Sequence, residues 1–463
     1  MRLSILARYA VAVGIVAAAF VPCAGRAQSA LNLAALRGLA PFATLLNTAA
    51  GRAALASNLT VTGAIQTGTA AQPALEPFAA QQSRALTDAF ISSPNALELA
   101  EGLGTKLDTA YKTLAACDST DDGVTYHCTM SLGSVATLIG YTYGETSADS
   151  GSGKYFFANA TVSNKSGVMP VSADADAILT ATGGTTDVLG KAYHLPAGSP
   201  GADPAGDSRP FQTEPKLTTY SALDYFGVTN SNEAFLRGPL QDLTASPSFP
   251  SGHTTFGYTE ALVLAILVPE RYPQLVVRAA EYGNSRIVVG AHYAVDVIAG
   301  RTLASYDVAH LLAGDAAYEG QQFGKFTIPD YPAAVGTARS DLRAALAAAC
   351  GGTIAACAND NTDRFGNPDV DAAFYESTQT YGLPVVYPST ANAVEDVAKV
   401  APEAGYLLTA AFPALTLPQA DRILTDTEGP GGGFLDNGSA FGLYSRLDLY
   451  KASLRAAATH PSP

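Results

Sequence analysis

Apolar side chains recur at three- and four-residue spacing most clearly between 252 and 313, which predicts helices over about 252–268, 271–284 and 291–313, with Pro269 closing the first. Residues 28–116 carry the same period in Ala/Leu-rich stretches such as "NALELAEGLGTKLDTAYKTLAA". From 117 to 170 the texture changes. Gly, Ser, Asp and Thr punctuate short β-prone runs, "VATLIGYTYG" and "KYFFANATVSN", and predict a β-rich insertion. Helical spacing returns over 172–195 and is followed by a Pro/Gly/Asp loop, "LPAGSPGADPAGDSRP". The tail mixes loops with helical stretches near 391–411 and 440–457. The expectation is a mainly α fold: an N-terminal helical segment (28–116), the β-rich insertion (117–170), a helical core (171–320) and a C-terminal extension (321–463).

Composition narrows the class. The 463 residues are 48% apolar and 15% charged, which is globular. A net charge of −14 argues against a general nucleic-acid binder, so any anionic ligand needs a local basic cluster. Residues 1–27 read as a secretory signal: Arg2 and Arg8, the apolar run "YAVAVGIVAAAFV", then small residues to Ala27. That predicts a periplasmic or secreted protein. Beyond residue 27, apolar runs such as "ALVLAILV" fall far short of the ~20 residues of a membrane-spanning helix, so no stable membrane insertion is expected. Cys117, Cys128, Cys350 and Cys357 then remain, an even set that suggests disulfides. The close pairs 117–128 and 350–357 are the simplest of three connectivities, and neither has zinc-site spacing.

Three polar groups lie beside apolar helices, where unpaired charge is unfavourable. In Pro250-Ser251-Gly252-His253, Ser251 is placed to cap a helix whose first N–H groups, with Gly252 allowing close approach, suit an anion. Taken alone, this is more often a capped helix followed by a surface histidine. In "SRIVVGAHYAVD", His292 and Asp296 are four apart, so a carboxylate can orient an imidazole and raise the basicity of its distal nitrogen. Gly290 is expected to break the path so that Arg286 folds back toward His292. The commoner meaning of such a pair is a surface ion pair. The third group is Arg209-Pro210 with Lys191 upstream; a guanidinium offers paired donors to phosphate oxygens.

The order Lys…Arg-Pro, "PSGH" (250–253) and "SR…H…D" (Ser285, Arg286, His292, Asp296) resembles the signature of the type-2 phosphatidic-acid phosphatase superfamily, which includes class A bacterial acid phosphatases and vanadium haloperoxidases. The resemblance covers about 172–313. It implies a helical-bundle core and a small phosphate-ester substrate. His292 would be the nucleophile, Asp296 its orienting partner and His253 the acid, then the base. Lys191, Arg209, Ser251, Gly252 and Arg286 would bind the phosphoryl oxygens, with no metal or other cofactor. One departure stands out: the family's lysine lies seven residues before the arginine, where this chain has Ala202. Lys191 is the expected substitute, across an inserted loop, and Lys216 the second choice. The rival chemistry, a haloperoxidase with vanadate in the same pocket, shares these motifs. "DNTDRFGNPDVD" (360–371) and "EGPGGGF" (428–434) read as polar loops, since neither completes a calcium or phosphate-loop pattern.

Overall fold

The computed structural model describes residues 30–119, 126–159, 172–214, 217–359 and 362–459. The expected signal segment and Lys216 lie outside them. The described chain is mainly helical, with two small antiparallel hairpins. The helices that matter to the site are α1 (Ala49–Gln66), α2 (Phe78–Thr87), α3 (Gly133–Asn159), α4 (Gly252–Leu267), α5 (Tyr272–Val288), α6 (Ala294–Leu312) and α7 (Tyr331–Cys350).

Helices α4, α5 and α6 are buried on nearly every side, and α4 is also apolar along most of its length. A helix apolar all round belongs at the centre of a domain. Here α3, α5 and α6 all pack against α4, and α7 lies against α3. Each fully buried Leu, Ile or Val along "ALVLAILV" contributes roughly 1.5–3 kcal/mol relative to exposure. Two glycines let the backbones meet. A Cβ at Gly257 would lie 2.4 Å from the Tyr282 ring, and one at Gly300 would lie 2.6 Å from the Ser251 carbonyl oxygen. Gly300 therefore lets α6 press against the first turn of α4, where two of the sequence motifs meet.

The first hairpin pairs β1 (Ala115–Ser119) with β2 (Tyr126–Met130), and Cys117–Cys128 bridges it across the register. Cys350–Cys357 closes the end of α7. Both pairs follow the simplest connectivity. The first hairpin is the small β insertion expected within 117–170, but it is shorter than expected: among the described residues of that stretch strand ends at Met130, and "VATLIGYTYG" lies within α3. Buried positions there fall at Val135, Leu138, Ile139 and Tyr141–Thr142, then Glu145 and Asp149, a helical period. Packing across α4 outweighs the weak helix propensity of Gly, Thr and Tyr. The second hairpin, β3 (Ser221–Leu223) with β4 (Thr229–Ser231), was not anticipated. The helix expected over 172–195 is broken into Ala173–Thr182 and Val188–Ala192 by left-handed Gly183 and Asp187. Likewise 391–411 breaks into short turns around Pro402. No described helix is long and apolar enough to cross a membrane.

Candidate active site

Four separate parts of the chain converge at the N-terminus of α4. Ser251 caps that helix, its side chain accepting from the Thr254 N–H, while its own N–H donates to the Asp296 carbonyl at 3.1 Å. The Ser251 hydroxyl oxygen also accepts from Thr254 Oγ1 at 2.9 Å, so it serves the cap. The first N–H groups of α4, from Gly252 onward, lack intrahelical acceptors and carry the positive end of the helix dipole.

The third motif folds as its glycine suggested, with one difference. Helix α5 ends at Val288, and Gly290 adopts φ +97°, open to glycine and strained for other residues. The chain then doubles back so that the N–H groups of Ala291 and His292 both donate to the Arg286 carbonyl, at 3.0 and 3.1 Å. His292 thus precedes α6 and does not share a helix face with Asp296. Asp296 stands in the first turn of α6 and reaches back, accepting from the Tyr293 N–H at 2.8 Å, from Ser248 Oγ, and at 3.2 Å from His292 Nδ1.

These contacts fix the proton on His292. Arg209 Nη1 lies 3.0 Å from His292 Nε2, and a guanidinium can only donate. Nε2 therefore holds the lone pair and Nδ1 the proton. Burial, then the charges of Arg209, Lys154 and Arg286, hold His292 well below the ordinary imidazole range, so the ring is neutral. Burial pushes the Asp296 carboxyl up to about 6, against the Ser248 and Tyr293 donors that pull it down. His253 is also neutral, lowered by burial and then by Arg286. Its Nε2 contacts the Ala89 carbonyl at 3.3 Å, which requires the proton there, since a carbonyl only accepts.

The cations play different parts. Arg209 donates to the carbonyls of Ser246, Pro247 and Ala291 as well as to His292, and so pins the loop before "PSGH". Arg286 is fully buried, yet none of its three guanidinium nitrogens has a hydrogen-bond partner among the described residues. A buried guanidinium without hydrogen-bond partners is strongly unfavourable; the carboxylate near it, Asp88, accepts from Arg278 and Ser285, and the other groups around it are the Tyr220 and Tyr282 hydroxyls, two imidazoles and Arg209. The free guanidinium N–H groups suit an anion.

Lys191 does not join the cluster. It is exposed, and its Nζ donates to the Thr186 carbonyl at 2.6 Å. The amine beside Arg209 belongs to Lys154 on α3, which reaches the carbonyls of Pro247 and Pro250 at 2.7 and 3.1 Å. Burial and the Arg209 charge hold it well below the ordinary lysine range, while Asp296 acts the other way. Ser150, one turn earlier on α3, faces Gly252 with an unpartnered buried hydroxyl. Sequence spacing hid both residues. A helical reading of 133–159 would have placed Ser150 and Lys154 on one face, four positions apart. Also missed was Asp88, which accepts from Ser285 Oγ at 2.7 Å and from Arg278, and so braces the turn of α5 that carries Arg286. Among the described residues no group of three or more His, Cys, Asp or Glu could hold a metal ion. A surface cleft of about 220 Å3, lined by Ile65, Gln72, Phe78, Asn284 and Phe374 among others, contains none of the motif residues.

Comparison with known proteins points to the same stretch of the chain. The family model of the PAP2 superfamily matches residues 203–313. An acid phosphatase of Zymomonas mobilis subsp. mobilis is 48% identical over 71 residues, 15% of this chain and 26% of that protein. A non-specific acid phosphatase of Providencia stuartii is 35% identical over 107 residues, 23% of this chain and 42% of its own. One of Salmonella typhimurium is 45% identical over 69 residues, 15% of this chain and 28% of its own. The chain therefore spans between about a quarter and two fifths of the length of these relatives. The stretch that matches the PAP2 superfamily, residues 203–313, holds Arg209, "PSGH", Arg286, His292 and Asp296 but not Lys154.

Proposed function

We propose that this protein is an exported phosphatase that hydrolyses phosphate monoesters through a phosphohistidine, without a metal ion. The observation that carries the reading is Arg286: a buried guanidinium with three unpartnered nitrogens beside a neutral His292 whose Nε2 lone pair is fixed in place. A phosphoryl group would take the free donors of Arg286 and draw the Arg209 Nη1–H from His292 to one of its own oxygens. The freed Nε2 lone pair would then attack phosphorus as the ester P–O bond breaks. His253 would protonate the departing oxygen; the dianion offsets the surrounding positive charge and raises its proton affinity. In the second half His253 would take a proton from water as that water displaces His292 from phosphorus. Lys154, Arg209, Arg286 and the N–H groups from Gly252 onward would stabilise the charge that develops on the equatorial oxygens. The relatives named acid phosphatase support this direction.

Export is part of the proposal, to the periplasm or the medium, and the two disulfides support it. The test is release of phosphate from p-nitrophenyl phosphate by the purified protein, with and without a chelator. Turnover that survives chelation is expected. Peroxide-dependent bromination after vanadate loading, with no phosphate release, would contradict the reading.

A further inference from the structure

A cluster of aromatic side chains beside the Ala89–His253 contact has no place in the mechanism above. Phe90 follows Ala89, whose carbonyl contacts His253, and its own carbonyl accepts from the Tyr282 hydroxyl at 2.7 Å. Its ring stacks on Tyr225 at 4.2 Å and meets Tyr126 and Phe226 edge-on at 4.4 and 5.0 Å. Phe256, three residues after His253 on α4, stands next to Gly252, where an added Cβ would lie 3.6 Å from its ring.

Both hairpins serve this cluster, β1–β2 through Tyr126 and β3–β4 through Tyr225 and Phe226. The β3–β4 loop is rigid. Asp224 accepts from the N–H groups of Phe226 and Val228 and from the Asn230 amide, and Gly227 turns the chain at φ +75°. At the base of the same hairpin, Tyr220 has a buried hydroxyl with no partner among the described residues, and Asn232, which pairs with the Tyr220 backbone, donates to the carbonyl of Val289, three residues from Arg286. One rigid hairpin thus runs from the phosphate-binding guanidinium to the aromatic cluster. Three of the seven exposed large apolar side chains among the described residues lie on these two hairpins: Tyr126, Leu223 and Val228, at 41%, 56% and 55%. These two hairpins therefore carry a large share of the exposed apolar surface.

Resting on the phosphatase reading, we propose that the two hairpins form a leaving-group subsite that selects phosphate monoesters of aromatic alcohols. Phe90, Tyr126, Tyr225 and Phe226 would contact the ring while Tyr220 donates its free O–H to a phosphoryl oxygen beside Arg286. The edge-and-face arrangement already present is the one that a further aromatic ring extends. The His253 side is the relevant one, because the general acid must stand beside the departing oxygen. A saturated ring of the same size would fill the space without gaining the ring–ring contacts.

Benzyl phosphate and cyclohexylmethyl phosphate test this, since both release primary alcohols of similar size and acidity. The wild type is expected to favour the benzyl ester about three- to tenfold in kcat/KM, mainly through KM. Tyr225→Leu combined with Phe226→Leu should bring the ratio close to one, whereas Tyr225→Phe should keep it. Inhibition of the wild type by benzylphosphonate and cyclohexylmethylphosphonate gives the same comparison without any variant. Equal turnover and equal inhibition, or a ratio that persists in the double variant, would overturn the subsite and leave the phosphatase reading intact. A cyclohexylmethyl preference would replace it with a general apolar site. No turnover of either ester would sink the phosphatase reading itself.

Discussion

Arg209 Nη1 lies 3.0 Å from His292 Nε2, so a cation guards the lone pair of the nitrogen that is expected to attack phosphorus. The contact orients the ring, and together with burial it keeps the imidazole neutral. On the opposite nitrogen Asp296 fixes the tautomer.

Asp296→Asn should separate orientation from charge. An amide can present its NH2 to His292 Nδ1, which favours the tautomer with the proton on Nε2 and removes the lone pair from the reacting position. Loss of tautomer control in a comparable His–Asp arrangement lowers turnover by roughly ten-thousandfold. A fall in kcat of about a hundredfold or more with little change in KM is expected, and wild-type kcat in the variant would remove Asp296 from the mechanism.

Lys154 and Lys191 give a direct contrast. Lys154→Ala removes a buried ammonium from beside Arg209 and frees the carbonyls of Pro247 and Pro250. Charge-assisted contacts of this kind contribute about 1.5–3 kcal/mol, so kcat/KM should fall between tenfold and a few hundredfold. Lys191→Ala, at an exposed position, should fall far less. Equal losses in the two variants would contradict the placement of the amine on α3.

How much of this was visible in the sequence follows from where each residue gets its neighbours. His253, Arg286, His292 and Asp296 lie in two short stretches whose internal spacing sets the local geometry, and Gly290 announced the reversal that brings Arg286 back. Arg209 could be named because proline follows it. Lys154, Ser150, Asp88 and Ala89 reach the site only through helix packing, and no local spacing encodes that. The three central helices were legible because burial imposes the 3.6 period on them. Helix α3 was misread because its Gly, Thr and Tyr content resembles strand, although its buried positions follow the helical repeat.

The pH dependence has two parts. Both His253 and His292 are held below 6.5, so protonation of His253 for acid catalysis calls for pH below that value, and the optimum of kcat/KM should lie on the acid side. Stability has a separate source. Glu145 is buried beside Asp149, and burial and that neighbour push its carboxyl up to about 8. Asp307, on α6, is raised by burial and by the same two carboxylates. A carboxyl whose folded pKa is raised holds its proton longer in the native state, so stability falls as pH rises from the unfolded value of 4.5 through about 8. Glu145→Gln should therefore raise Tm at pH 8, by the equivalent of about 4 kcal/mol, and change it little at pH 4.5. An unchanged difference in Tm between pH 8 and pH 5 would contradict this.

The most direct test is to find where the phosphoryl group goes. Mixing the enzyme with an aryl phosphate, quenching in alkali and mapping the digest by mass spectrometry should place a phosphoryl adduct on His292. The adduct should be absent from His292→Ala, which should keep the wild-type Tm within a few degrees. It should build up in His253→Ala, where a good leaving group still departs but water lacks its base. Phosphorylation at any other residue, or wild-type turnover by His292→Ala, would contradict the account.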